Sequence, residues 1–233
     1  MQRNWIELNG VRSETLNGLL ISELPPITKP LMRTQIDEID GRDGSIVTDL
    51  GYSAYDREMI IGLFGDYDID EVVRFFNSSG TAIFSNEPDK VYQYRIHNEI
   101  DFERLAHFRT ATVTFYCQPF KHSAVEPERV LTSSNGYVYN NGNVPAKPIL
   151  TLTGTGTVTL SLNGSQVLII ANGSSSRTVT IDVEAMNAYN GNTLLNRIVS
   201  GDYSDLTLPV GKNLIQWTGS VSSFKIDKYS RWV

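Results

Sequence analysis

Acidic side chains supply most of the chemistry this sequence could perform, and they come in two runs. Asp66-Tyr67-Asp68-Ile69-Asp70-Glu71 places acids at the first, third and fifth positions of what would be a calcium loop. Such a loop also needs Gly at its sixth position and a bidentate Glu at its twelfth, where this chain has Glu71 and Asn77. Helix capping explains the same residues. Asp68 with Glu71 three residues on is a capping box, and negative charge suits the positive end of a helix. The second run, Asp37-Glu38-Ile39-Asp40-Gly41-Arg42-Asp43-Gly44, could offer the paired carboxylates of a glycosidase. Set between turn glycines, it reads more simply as a solvated loop. His97, His107 and His122 form no metal-spaced pair such as His-Glu-x-x-His. Cys117 stands ten residues from His107 on what reads as one strand, so a Cys–His nucleophile pair has little to build on. As the lone cysteine it excludes an internal disulfide and a Cys-based zinc site, and it reads as a small buried hydrophobe. Gly154-Thr155-Gly156 is not a dinucleotide loop, because hairpin residues rather than a helix follow it. The sequence therefore names no catalytic residue, no metal ligand and no cofactor, and a non-enzymatic protein is expected.

Recognition has better candidates. Tyr137, Tyr139, Tyr189 and Tyr203 lie in turn-rich segments where they can be exposed, as glycan or partner contacts. Trp217 alternates with Leu214 and Ile215, where a core position is as good a reading as a sugar platform. A carbohydrate-binding module in a cell-wall adhesion protein is the rival reading that these aromatics support.

Charge narrows the partners. The 233 residues carry 20 Lys and Arg against 26 Asp and Glu. Residues 1–130 hold 13 against 21, and residues 131–233 hold 7 against 5, so net −8 stands beside net +2. An acidic N-terminal half without basic stripes argues against specific nucleic-acid binding, which draws on phosphate neutralisation. Apolar runs such as Val167-Leu168-Ile169-Ile170-Ala171 are strand-length, too short to span a bilayer, and the N-terminus lacks the apolar core of an export signal. No membrane partner is expected, and assembly in a reducing cytoplasm is.

These residues must be positioned by two kinds of segment. Large and charged residues dominate as far as residue 130, and short Thr-, Ser-, Asn- and Gly-rich runs follow, so domains are expected over 1–130 and 131–233. Pro119 and Pro127 mark the seam as a strand exit and linker. Within the first domain a short helix stands out, with Ile69, Val72, Val73 and Phe76 on its apolar stripe behind the capping box. Strand-like runs surround it, including Arg57–Phe64, Val91–Ile96 and the alternating Ala111–Cys117. An α+β split barrel or sandwich is expected there. The second domain reads as all β. Thr157–Leu162, Asn163-Gly164 and Ser165–Ile170 spell a tight hairpin. Further strands are expected at Pro148–Leu152, Arg177–Val183, Asp205–Leu208, Asn213–Trp217 and Ser223–Asp227, making a jelly-roll or galectin-like sandwich. The whole chain is expected to be mainly β.

The first domain also carries a family pattern. An opening strand ends in Leu8-Asn9-Gly10, and Gly41-Arg42-Asp43-Gly44 leads to Tyr55-Asp56-Arg57-Glu58-Met59-Ile60-Ile61. The helix Asp70–Asn77 follows, and then Phe84-Ser85-Asn86-Glu87-Pro88-Asp89-Lys90-Val91-Tyr92 fits an F-x-x-E-P-D-x-x-Y stretch. Phe115-Tyr116-Cys117-Gln118-Pro119-Phe120 closes it. Over roughly residues 1–125 the chain thus resembles the N-terminal domain of siphophage distal tail proteins, the Dit family. The resemblance implies a homo-hexameric ring built by the first domain, with a short galectin-like sandwich outside it. It implies docking onto the tail tube protein, with a tail-tip or tail-associated lysin protein below. Receptor-binding or tape-measure proteins are further implied partners, and the virion tail tip is the implied location. DNA would pass through such a ring without specific binding, and an acidic channel wall would keep it from sticking.

Overall fold

Alternation puts Ala111, Val113, Phe115 and Cys117 on one face of their strand, and that face is the inside of a curled sheet. The structure is a computed structural model that describes residues 3–97 and 99–233. The chain divides between Ala124 and Val125 into two compact units, each around its own core.

The first unit contains strands β1 (Ile6–Leu8), β2 (Val11–Arg12), β3 (Leu19–Glu23), β4 (Met32–Glu38), β5 (Ser45–Tyr52), β6 (Tyr55–Leu63), β7 (Ser79–Phe84), β8 (Lys90–Arg95) and β9 (Thr110–Ser123). Helices α1 (Ile69–Phe76) and α2 (Phe102–Phe108) complete it. Seven strands of this unit pair antiparallel in the order β2-β1-β7-β8-β9-β6-β3. The Arg3 guanidinium donates to the Leu19 carbonyl, and the Asn4 amide donates to the Ile21 carbonyl at 3.3 Å. The residues leading into β1 thus cover the outer edge of β3, and the curled sheet is a split barrel with no long open edge there. Inside, Phe84 meets Tyr92 and Phe115 edge-on, with ring centroids 5.3 and 5.5 Å apart.

Helix α1 forms where the capping box stands. Asp68 Oδ1 accepts from the backbone N–H groups of Asp70 and Glu71, at 2.9 and 3.3 Å. Val72, Phe75 and Phe76 are its buried face. The second helix, α2, is capped in the same way by Asp101. It buries only Leu105, too little apolar periodicity to stand out in the sequence.

The second unit contains β10 (Arg129–Leu131), β11 (Gly136–Asn140), β12 (Ile149–Leu162), β13 (Ser165–Ala171), β14 (Arg177–Asp182), β15 (Asn187–Asn190), β16 (Thr193–Leu194), β17 (Val199–Gly201) and β18 (Gly211–Asp227). Pairs of expected strands prove to be single long ones. Pro148–Leu152 and Thr157–Leu162 join as β12, while Asn213–Trp217 and Ser223–Asp227 join as β18. Their ladder shifts register between Thr155 and Thr159. One half of β12 pairs with β14 and the other with β13, so the two long strands pass from one sheet of a sandwich to the other. Gly219 marks the passage: at φ +96° a Cβ there would lie 2.3 Å from the Thr157 carbonyl.

Asp205–Leu208, expected as a strand, is instead the end of a 3-10 turn over Tyr203–Leu206. Asp202 caps that turn by accepting from the Ser204 N–H at 2.8 Å, and Leu208 alone bridges Ala146. The Asn163-Gly164 hairpin forms as read, with both residues at positive φ, 52° and 90°.

Candidate functional site

Strands β4 and β5 pair with each other and with no other described strand. They project from the first unit as a hairpin whose every residue from Arg33 to Gly51 is exposed. Its sequence is not that of a solvated arm. Ile36 stands opposite Val47 on one face, 60% and 57% exposed, and Ile46 and Leu50 are exposed on the other. An isolated two-stranded ribbon is marginal in water at best. Apolar residues exposed on both its faces are what an interaction surface presents. The acids Asp37, Glu38, Asp40 and Asp43 sit at or near the tip of this arm, in solvent.

The root of the arm is held from inside the barrel. Residues 24–31 run without regular structure from β3 to β4. Beneath them lies Arg57 on β6, only 2% exposed. Its Nη2 donates to the carbonyls of Pro25 and Pro26, both at 3.2 Å. Asn86 Nδ2 donates to the same Pro25 carbonyl at 2.9 Å. The guanidinium is flanked by Tyr92 and Phe84, its Cζ 4.3 and 4.6 Å from their ring centroids. Glu87 supplies the charge balance. Its Oε2 lies 3.8 Å from Arg57 Nη1 and accepts from the Tyr92 hydroxyl, while Oε1 accepts from Lys121 Nζ at 3.1 Å. Phe84, Asn86, Glu87 and Tyr92 all come from the F-x-x-E-P-D-x-x-Y stretch, so that pattern encodes the cradle of one buried arginine. Burial pushes the Tyr92 phenol up from its ordinary value, with the Glu87 bond adding to it. On its other side the root is closed by the Ser53 N–H donating to the Leu31 carbonyl at 2.8 Å and by Tyr52 packing edge-on to Phe120 at 5.6 Å. Arg57 and Asn86 are residues that sequence reasoning passes over. Only their place in the pattern marks them.

The tyrosines singled out as contacts fall into two places. Tyr137 and Tyr139 are exposed neighbours on one face of β11, with Lys212 Nζ 3.7 Å from the Tyr137 ring centroid. Tyr189 lies on β15, and Tyr203 donates to Asn196 Oδ1, which also accepts from the Ala188 N–H. Trp217 stacks on Phe224 with centroids 4.9 Å apart and planes 2° off parallel, packed against the core. It is partly buried, lying at the margin of the core.

The positions weighed for catalysis are dispersed. Cys117 is fully buried on β9, and burial pushes its thiol up to about 12, so it is held neutral. His107, expected on the same strand, lies instead on α2, exposed, 4.0 Å from Glu103. Asp68 uses its carboxylate in the cap of α1. Among the described residues no three His, Cys, Asp or Glu side chains converge as a metal site.

Barrel, sandwich and projecting arm make up a two-unit, mainly β protein. Residues 14–117 match the family model described as the phage tail protein RIFT-related domain. The matched segment lies within the first unit and spans most of it. No curated protein matches the chain. Among solved structures, the Dit protein of phage SPP1 shares the fold from end to end, with a TM-score of 0.70 and 17% identity over 100% of both chains. That protein is described as a paradigm of the hub adsorption apparatus in phages infecting Gram-positive bacteria. A chain of the phage P2 baseplate, in its activated conformation with calcium, aligns with 10% identity and a TM-score of 0.49 over 100% of this chain and 99% of that one.

Proposed function

We propose that the chain is a structural distal tail protein of a long-tailed phage, six copies of which close into a ring at the tail tip. The β4–β5 hairpin carries this reading. Its four apolar side chains are 37–60% exposed within one subunit, so covering the remainder would stabilise an interface by roughly 1 kcal/mol each. A head-to-tail contact between an arm and the barrel of a neighbour is heterologous, and it closes when the rotation suits. The family match within the first unit and the end-to-end fold likeness to SPP1 Dit support the same role. On this reading the ring joins the tail tube protein above to a tail-tip or tail-associated lysin protein below. Receptor-binding and tape-measure proteins are further neighbours in the virion. The work is done by surfaces, with no reacting centre.

Mass photometry across a concentration series tests the proposal. The wild-type chain is expected to show a closed multimer of about six copies at the upper end. The double substitution Ile36→Asp and Val47→Asp is expected to leave a folded monomer. A double variant that assembles as well as the wild type would remove the hairpin from the mechanism.

A second reading concerns the outer unit alone. Tyr137 and Tyr139 present two exposed rings side by side on β11, a platform on which a sugar or a protein partner can stack. Loss of glycan-array binding on Tyr137→Ser with Tyr139→Ser would support the sugar; an array on which the wild type binds nothing would remove it.

A further inference from the structure

Arms that assemble rings must leave their subunit in a fixed direction. Strand β4 has 7 residues, and at roughly 3.4 Å per residue it reaches about 24 Å. A tilt of about 10° at its root would carry the tip about 4 Å sideways, close to the spacing of roughly 4.8 Å between neighbouring strands. That is enough to displace the Ile36–Val47 face from whatever covers it. Something must therefore hold the root: β6 begins two residues beyond β5 and anchors the returning side in its ladder with β9, but no ladder holds the outgoing side. Residues 24–31 take part in no sheet.

From the cradle described above we infer that Arg57 and Asn86 are positioning residues for assembly. Their three hydrogen bonds to the Pro25 and Pro26 carbonyls fix the direction of the hairpin, which lies beyond them in the chain. The inference rests on the reading of the hairpin as the assembling arm. The strap is suited to transmit the constraint. Pro25, Pro26 and Pro30 have fixed φ, and Leu24, Pro25 and Lys29 each precede a proline and are restricted as well. Clamping two consecutive carbonyls of so stiff a segment sets its course for several residues. The grip is also directional. Arg57 reaches both carbonyls from one nitrogen, its plane held between the Phe84 and Tyr92 rings, and a flexible ammonium would not hold that plane. On the far side, Ser53 and Tyr52 secure the returning strand. Phe84, Glu87 and Tyr92 thereby bear on assembly through the Arg57 they hold, and Asn86 through its own bond to Pro25.

Asn86 makes the inference testable, because it is exposed and its substitution spares the core. Asn86→Ala removes the donor; Asn86→Asp keeps the shape but cannot donate to a carbonyl. Both are expected to speed amide hydrogen exchange in residues 27–52 by about fivefold or more while exchange in β6 and β9 stays unchanged. Both are expected to lower the assembled fraction by about tenfold at the concentration where half the wild type is assembled. Arg57→Lys is expected to do the same more severely. If that variant does not fold, the Asn86 pair decides. Wild-type assembly by both Asn86 variants, alongside a monomeric Ile36→Asp/Val47→Asp chain, would overturn the positioning role and leave the hairpin reading standing. If the hairpin double variant assembles too, both fall.

Discussion

Glu126 shows how a single carboxylate can be followed through pH. It lies just past the division between the units, partly buried, and its Oε2 accepts from the Ser230 N–H at 3.0 Å. Burial raises its pKa above the ordinary carboxylate value, and the Ser230 hydrogen bonds offset only some of this. The sign follows from linkage. Because the folded pKa is raised, the folded state holds its proton more tightly than the unfolded chain. Stability is then lost as pH rises from the ordinary value, about 4.3, through the folded one, and the loss is complete above both. Glu126→Gln, whose amide oxygen can still accept from Ser230, is expected to melt higher than wild type at pH 7.5. The gap should vanish near pH 4. Calorimetry at the two pH values checks this, and a variant less stable at both would show that the charge-assisted bond outweighs burial. At this scale legibility depends on how local the interaction is. Asp68 could be read as a cap because its partners are two and three residues away. Arg57 could not be read, since Pro25 and Asn86 lie about thirty residues to either side of it and only the fold brings them together.

Elements were legible wherever the side-chain period was clean. The inward face of β9 and the capped start of α1 both follow from pattern alone. Failures came where glycine and threonine permit a strand to continue. Gly154-Thr155-Gly156 reads as a break, yet β12 passes through it with a bend, because glycine lets two backbones approach where a side chain would collide. Gly219 and Gly156 separate this steric role from simple conformational freedom. Both have positive φ, but a Cβ at Gly156 meets nothing within 4 Å, whereas one at Gly219 meets backbone at 2.3 Å. Gly156→Ala is expected to cost about 1 kcal/mol, and Gly219→Ala on the order of 3 kcal/mol, since backbone must move as well. Denaturant midpoints measure both, and equal losses would mean that the strand crossing gives way freely. Of the hairpin, Arg33–Ile39 reads as a strand, but Ser45–Tyr52 does not stand out, and nothing marks the two as an arm. Nothing in its alternation says that no third strand lies beside it.

At the scale of the whole molecule, charge makes an argument that no single contact makes. The chain carries net −6, and its first 130 residues carry net −8. Copies that associate through the first unit therefore bring like charge together, while the hairpin face that would join them is centred on Ile36 and Val47. In such an association apolar burial would favour assembly, and long-range repulsion would oppose it. Salt acts on these two terms unequally. Screening shortens the reach of repulsion from about 30 Å at 0.01 M to about 8 Å at 0.15 M, while burial of aliphatic side chains is not weakened by it. Self-association is therefore expected to strengthen as sodium chloride is raised from about 0.01 M to about 0.15 M, with little further change once the screening length falls below a side chain's reach. Sedimentation velocity at fixed protein concentration reads this directly. Weakening with salt would show that ion pairs from Arg33, Arg42 and the tip acids hold the arm, and the apolar account of the interface would have to be given up.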